Sequence, residues 1–163
     1  GIGAFSLAKD IGVSNKEAKH YIESYLAHYS GVDSYMKNVV EKANADGYVE
    51  TMFGRRRNLP ELTSSKHMIR AFGERVARNM PIQGTAADII KIAMIKVDER
   101  MKAENLRARL VLQVHDELIV EAPQDESMRV ALIVQEEMEN AVKMSVPLTA
   151  DAAIGRTWYD AKG

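Results

Sequence analysis

Two short apolar runs, Leu110-Val111-Leu112 and Leu118-Ile119-Val120, leave almost no chain between them. Each is β-branched or aliphatic and bounded, so each reads as a strand. Only His115-Asp116, or little more, remains to turn, which makes residues 109–121 a tight antiparallel hairpin. Asn-Gly or Asp-Gly builds a two-residue turn most easily. This tip instead carries an imidazole and two adjacent carboxylates, His115, Asp116 and Glu117. Carboxylates on a rigid apolar platform can seat a hard divalent cation such as Mg²⁺. The same residues have a plainer reading. Asp turns chains because its side chain bonds nearby backbone, and Glu117 can simply be solvated.

With 163 residues, 46% hydrophobic and 28% charged, the chain is of a size and composition for one globular domain or part of a larger one. No apolar run approaches the roughly 18 residues of a transmembrane helix, so no membrane role is expected. The first residues lack the basic segment and apolar core of a signal peptide. They also lack an initiator Met, so a fragment of a longer protein is expected. Zero cysteines exclude disulfides and Cys-ligated zinc, and fit a reducing cytoplasm. Net charge is −1, but the charges are segregated. Residues 52–78 carry seven cationic side chains and two acids, whereas residues 116–140 carry eight acids and one Arg. A basic block beside an acidic, metal-competent one suits metal chemistry on a bound polyanion.

Patterning predicts a short helix over 2–11 and a helix from the Ser14–Glu17 capping box to about Tyr29. Ser30-Gly31 is expected to break it, with Asp33 capping another helix that ends at Asp46-Gly47. A strand is expected over Tyr48–Met52, and Gly54 then turns the chain into Arg55-Arg56-Arg57. A helix over about Ser65–Asn79 has Met68, Phe72 and Val76 as its core stripe and stops at Pro81, which pushes Met80 out of the α region. Gly84-Thr85 opens a further helix, with Thr85 and Asp88 as a second capping box and Ile90, Ala93, Met94, Val97 and Met101 on its apolar face. After the hairpin come a helix over about Asp125–Met144 and a last strand over Leu148–Ile154. The fold class is α+β: a small antiparallel sheet with an Asp-bearing hairpin packed on helices, plus an all-helical N-terminal part.

Several polar groups are candidates for chemistry. The guanidinium forks of Arg55-Arg56-Arg57 match phosphate oxygens. Arg75 and Asn79 share a helix face, and Gln83 follows; such donors read base edges or sugar oxygens in a minor groove. Taken alone, the arginine run reads as readily as a solvated basic turn, and Arg75, Asn79 and Gln83 read more readily as exposed polar side chains with Asn79 capping its helix. His20, His28 and His67 have no metal-ligand spacing. No Gly-rich phosphate loop is present: Gly1-x-Gly3 lacks a preceding strand and a third Gly.

Taken together, Phe53-Gly54-Arg55-Arg56-Arg57, then Asn79-Met80-Pro81-Ile82-Gln83-Gly84-Thr85-Ala86-Ala87-Asp88, then Gln113-Val114-His115-Asp116-Glu117 resemble, in order and spacing, the C-terminal part of family A DNA polymerases of the bacterial DNA polymerase I type. Gly155-Arg156-Thr157-Trp158-Tyr159-Asp160-Ala161-Lys162 is similar to that family's C-terminus, so the resemblance covers essentially the whole chain. It implies that residues 1–70 are a distal fingers remnant and 71–163 the C-terminal half of the palm. Asp116 matches the palm carboxylate that binds Mg²⁺, Glu117 its accessory acidic neighbour, and His115 a residue near the primer terminus. Arg75, Asn79 and Gln83 match minor-groove contacts, Arg57 a primer-backbone contact and Gln113 a nearby member of that DNA-binding network.

The implied reaction is template-directed nucleotidyl transfer with two Mg²⁺ ions about 3.5–4 Å apart. The implied partners are primer–template DNA, dNTP and the rest of the polymerase chain, in a bacterial cytoplasm at the nucleoid. Gly1 matches the Gly after the family's active-site Tyr. The basic fingers helix and the other metal-binding Asp of the family lie upstream of that match. The fragment alone is therefore expected to be inactive and, with an uncovered palm face, to self-associate. Asp151, on the expected last strand, is the one in-chain substitute carboxylate, and a solvated strand residue is its plainer reading. Two other functions are weighed against this one. A non-catalytic DNA-binding module would use the basic block alone, and a metal phosphohydrolase would need more His and Asp ligands than the chain has.

Overall fold

A computed structural model describes residues 2–162; Gly1, matched above to a family glycine, lies outside the described residues. Two compact units divide the chain, residues 1–85 and 86–163. Each closes around its own apolar cluster.

The first unit opens with α1 (Ala4–Ile11), α2 (Asn15–His28) and α3 (Ser30–Asp46). Ser14 and Glu17 form the predicted capping box. The expected break at Ser30-Gly31 falls instead at Tyr29, and both residues lie within α3. Asp33 is therefore not a cap; from the first turn it pairs with Lys37 at 2.6 Å. Gly47 ends α3 in the left-handed region, at φ 76°. β1 (Tyr48–Glu50) and β2 (Arg56–Asn58) then form a two-stranded antiparallel sheet, so part of the arginine run is strand rather than turn. A 3-10 turn over Pro60–Thr63 follows. Ala43, Val49, Leu59, Leu62 and Ala77 make the core, with Val39, Val40, Val76 and Met80 packed on it.

Helix α4 runs unbroken from His67 to Ala103 with Pro81 inside it. The predicted stop at Pro81 is overturned. A Pro interior to a helix costs about 3 kcal/mol, and the packing of Val76, Ala77 and Met80 in the first core works against that penalty. Ala77 is fully buried on one side, Thr85 and Asp88 are buried on the other, and Thr85 bonds back to the Pro81 carbonyl. Thr85 is consequently an interior residue rather than the cap of a new helix. The expected core stripe is corrected as well: Met68 and Phe72 are 84% and 45% exposed, and Ala77 is the fully buried position.

In the second unit β3 (Arg109–Val114) and β4 (Glu117–Glu121) form the predicted hairpin, followed by α5 (Ser127–Glu139) and the short α6 (Trp158–Ala161). The register changes between Leu110 and Leu112, so Val111 is a β-bulge. Leu110, Leu118 and Val120 pack on the core of Val97, Met101, Ala108, Val130 and Ile133. Beyond the bulge, Leu112 pairs with Ile119 on the opposite face and is 54% exposed. The expected strand over 148–154 does not form; that segment is irregular and α5 ends before it. Asp151 is thus exposed on irregular chain and not on a strand. The whole is α+β, mostly helical with two small antiparallel sheets.

Candidate nucleic-acid groove and hairpin tip

The turn before the arginine run is built around Thr51. Its hydroxyl accepts the N–H groups of Phe53 and Arg55, each at 3.2 Å, and its carbonyl accepts that of Gly54 at 3.0 Å. Gly54, at φ 77°, supplies the left-handed residue. The Met52 N–H reaches across to the Thr85 hydroxyl at 3.1 Å, which ties the turn to α4. Close approach is also required at Gly84, where a Cβ would lie 2.7 Å from Thr51 Cγ2.

This docking aligns β2 with one face of α4. Arg57, Arg75, Asn79 and Gln83 line a single open groove of about 430 Å³, with Phe72, Val76, Met80 and Gly84. The Arg75 guanidinium lies 5.9 Å from the centroid of the Phe72 ring, within cation–π range. Neighbouring arginines are engaged elsewhere: Arg56 bonds Glu50 at 3.2 Å and stacks on Tyr48, and Arg78 pairs with Glu74 at 3.3 Å. Sequence reasoning found the four polar groups but missed the apolar floor. The i, i+4, i+8 spacing of Phe72, Val76 and Met80 carried that signal and reads equally as core.

The other predicted residues gather at the hairpin tip in the second unit. His115-Asp116 makes the turn, and His115 has φ 54°, a left-handed conformation that His tolerates better than most residues. The Gln113 amide donates to the His115 carbonyl, so this predicted DNA contact closes the turn. His115 and Asp116 are exposed. Glu117 has the Trp158 indole N–H at 3.2 Å and the Lys162 ammonium at 3.3 Å, partners that the sequence reading did not assign.

Of the remaining acids of the 116–140 block, Glu139 accepts from the Gln135 amide and the Ala150 N–H, and the others are tied into ion pairs. Glu121 meets Arg109, Asp125 and Glu126 meet Arg107, and Glu136 and Glu137 meet Arg100 at 2.7 and 2.8 Å. Glu104 accepts from Arg129 at 2.6 Å and from Arg100 at 3.3 Å. The Arg129 hydrogen bonds hold the Glu104 carboxyl below its usual range, with Arg100 adding to the effect. Glu137 and then Glu136 push Arg100 further up. This acidity braces α5 against the end of α4 and forms no metal cluster. Among the described residues no three His, Asp or Glu side chains converge at metal-binding distance.

Comparison with known proteins identifies the family of the chain. The profile of DNA polymerase family A matches residues 1–160. DNA polymerase I of Bacillus caldotenax is 52% identical over 162 residues, which is 99% of this chain and 18% of that enzyme. DNA polymerase I of Bacillus subtilis is 50% identical over the same share. The polymerase domain of Pol1 from M. smegmatis, in complex with DNA primer–template and dNTP, superposes with a TM-score of 0.94 at 46% identity, covering 100% of this chain and 29% of that one. The chain spans about a fifth of the length of such curated relatives. By the family profile and by identity along almost its whole length, the chain belongs to DNA polymerase family A.

Proposed function

We propose that this chain is the C-terminal fingers and palm portion of a DNA-directed DNA polymerase of bacterial replication and repair, residues 1–70 being distal fingers and 71–163 half of the palm. The supporting observation is the groove that gathers Arg57, Arg75, Asn79 and Gln83. Minor-groove edges of all four base pairs present acceptors at equivalent positions, so donors there hold a duplex of any sequence. A polymerase needs that indifference. Arg75, Asn79 and Gln83 supply such donors, and Arg57 supplies a phosphate contact along the primer.

His115 and Gln113 flank the primer terminus in this reading, and Asp116 is the palm carboxylate for Mg²⁺. An exposed carboxylate on a two-stranded platform fits one ligand of a hard cation. With no converging acid cluster among the described residues, the chain supplies one part of a two-ion site. The rest of the polymerase chain supplies the remainder, so the 163 residues alone are inactive. When bound, two Mg²⁺ ions ease deprotonation of the primer 3′-hydroxyl and neutralise charge on the dNTP triphosphate. The outward apolar face at Val111 and Leu112 supports self-association of the isolated chain. Among the described residues no helix is long and apolar enough to cross a membrane.

The test is a chimera in which these residues replace the matching stretch of the Bacillus caldotenax enzyme. Asp116→Asn removes a charge that metal chemistry needs, and loss of several kcal/mol of transition-state stabilisation lowers kcat by about 10³-fold or more. Primer–template affinity stays close to that of the unsubstituted chimera. Retained synthesis would reject the metal role and leave a non-catalytic DNA-binding module.

A further inference from the structure

Glu117 and the C-terminal helix meet on the outer face of the hairpin. Glu117 pairs with Val114 in the ladder, on the face opposite Leu118 and Val120, which pack on the core. Both its carboxylate oxygens are taken: Oε2 accepts the Trp158 indole N–H at 3.2 Å, and Oε1 lies 3.3 Å from Lys162 Nζ. The Lys162 ammonium also sits 5.0 Å from the centroid of the Trp158 ring, so the three side chains contact one another in a closed set.

The helix that delivers Trp158 and Lys162 is itself pinned. Thr157 and Asp160 form a reciprocal capping box, with the Asp160 N–H on the Thr157 hydroxyl at 3.2 Å and the Thr157 N–H on the Asp160 carboxylate at 3.1 Å. The chain folds back on it so closely at Gly155 that a Cβ there would lie 2.6 Å from the Ala161 nitrogen. One exposed ion pair holds little. Three mutual contacts from a capped turn hold one carboxylate rotamer.

We propose that α6 is a latch on Glu117, making Glu117 a positioning residue for the hairpin tip and leaving Asp116 as the tip acid open to a cation. A metal at Glu117 would have to share a carboxylate oxygen with the Trp158 N–H or stand beside the Lys162 ammonium, whose charge opposes a cation there. Held in place, Glu117 fixes the direction in which β4 leaves the turn, and with it the aim of Asp116. Misplacement of a reacting group by about 1 Å costs about 10²-fold in rate. The latch itself stands on the contacts above; only its catalytic consequence rests on the polymerase reading.

Trp158 is the sole tryptophan of the chain, so its fluorescence reports the latch directly. In the full 163-residue chain, Glu117→Ala and Lys162→Ala should red-shift the emission and raise acrylamide quenching. Glu117→Gln, which keeps an acceptor for the indole N–H, should stay nearer the parent spectrum. Asp116→Ala and added Mg²⁺ should leave the spectrum unchanged. Unaltered emission in Glu117→Ala with native circular dichroism would overturn the latch, as would release of Trp158 by Mg²⁺. In the polymerase chimera, Trp158→Phe should lower kcat about tenfold without moving KM for dNTP. The half-activating Mg²⁺ concentration should be the same in Glu117→Gln as in the parent. A raised Mg²⁺ requirement in Glu117→Gln, or an unchanged kcat in Trp158→Phe, would overturn the positioning role. An inactive unsubstituted chimera would instead reject the polymerase reading and leave the fluorescence result intact.

Discussion

The Thr85 hydroxyl accepts the backbone N–H of Met52 at 3.1 Å and donates to the carbonyl of Pro81 within its own helix. One side chain thereby satisfies a turn donor 33 residues away and adds a bond to the Pro81 carbonyl within α4. Thr85→Val keeps the shape and deletes both bonds. It should lower the unfolding free energy by about 1–3 kcal/mol, the cost of leaving a part-buried donor unmet. Urea melts of parent and variant measure the difference, and the slope of the unfolding line should not change.

Gly84 makes a sharper case, because two effects of opposite sign meet there. In an open helix interior Gly→Ala gains up to about 1 kcal/mol. At this position the new methyl would lie 2.7 Å from Thr51 Cγ2, and overpacking costs about 1–3 kcal/mol. Gly84→Ala should therefore destabilise. Adding Thr51→Ser removes the offending methyl and keeps the hydroxyl, so the double variant should recover stability. A cycle that is additive within about 0.5 kcal/mol would refute the clash.

The ionic brace predicts a pH dependence of definite sign. Glu104 has its carboxyl lowered by Arg129 and then Arg100. Its contribution is therefore present above the ordinary carboxylate range and is lost as pH falls through the lowered value. The thermal midpoint should fall as acid is added below about pH 4.5, the unperturbed carboxylate region. Arg129→Ala should flatten that fall. Arg100, pushed further up by Glu137, stays charged throughout and adds no titration of its own.

Salt dependence separates two kinds of DNA contact in the groove. A phosphate contact releases condensed counterions, and each one adds about 0.9 to the slope of log K against log salt. Arg57→Ala should reduce the slope for primer–template binding by about that amount. Arg75→Ala, aimed at minor-groove acceptors, should weaken binding with a smaller change in slope. Titrations of the chimera at several salt concentrations measure both, and equal slope changes would contradict the division.

Local chemistry wrote the hairpin, the Ser14 cap and the Gly47 stop plainly into the chain. Each depends on a few adjacent residues. The continuity of α4 through Pro81 was not legible, because it depends on burial of Ala77 and Thr85 against residues distant in sequence. The strand over Leu110-Val111-Leu112 was legible, but the bulge at Val111, which sends Leu112 to the face away from the core, was not. The polar members of the groove were readable from their types and spacing. The partners of Glu117 were not, since Trp158 lies 41 residues away on a helix of four.

Both sheets among the described residues have only two strands, so every strand is an edge. In an antiparallel pair, successive backbone amides alternate between pointing at the partner and pointing away. Deuterium exchange should therefore stripe the hairpin. Amides such as those in alternate positions of Glu117–Glu121 will be retained for long times, while their neighbours exchange almost as fast as a loop. That outward row is a built-in gauge. If a third strand docks along either edge, whether from the rest of a polymerase or from another copy, the fast amides on that side will slow, and the identity of the slowed row will name the edge that was filled.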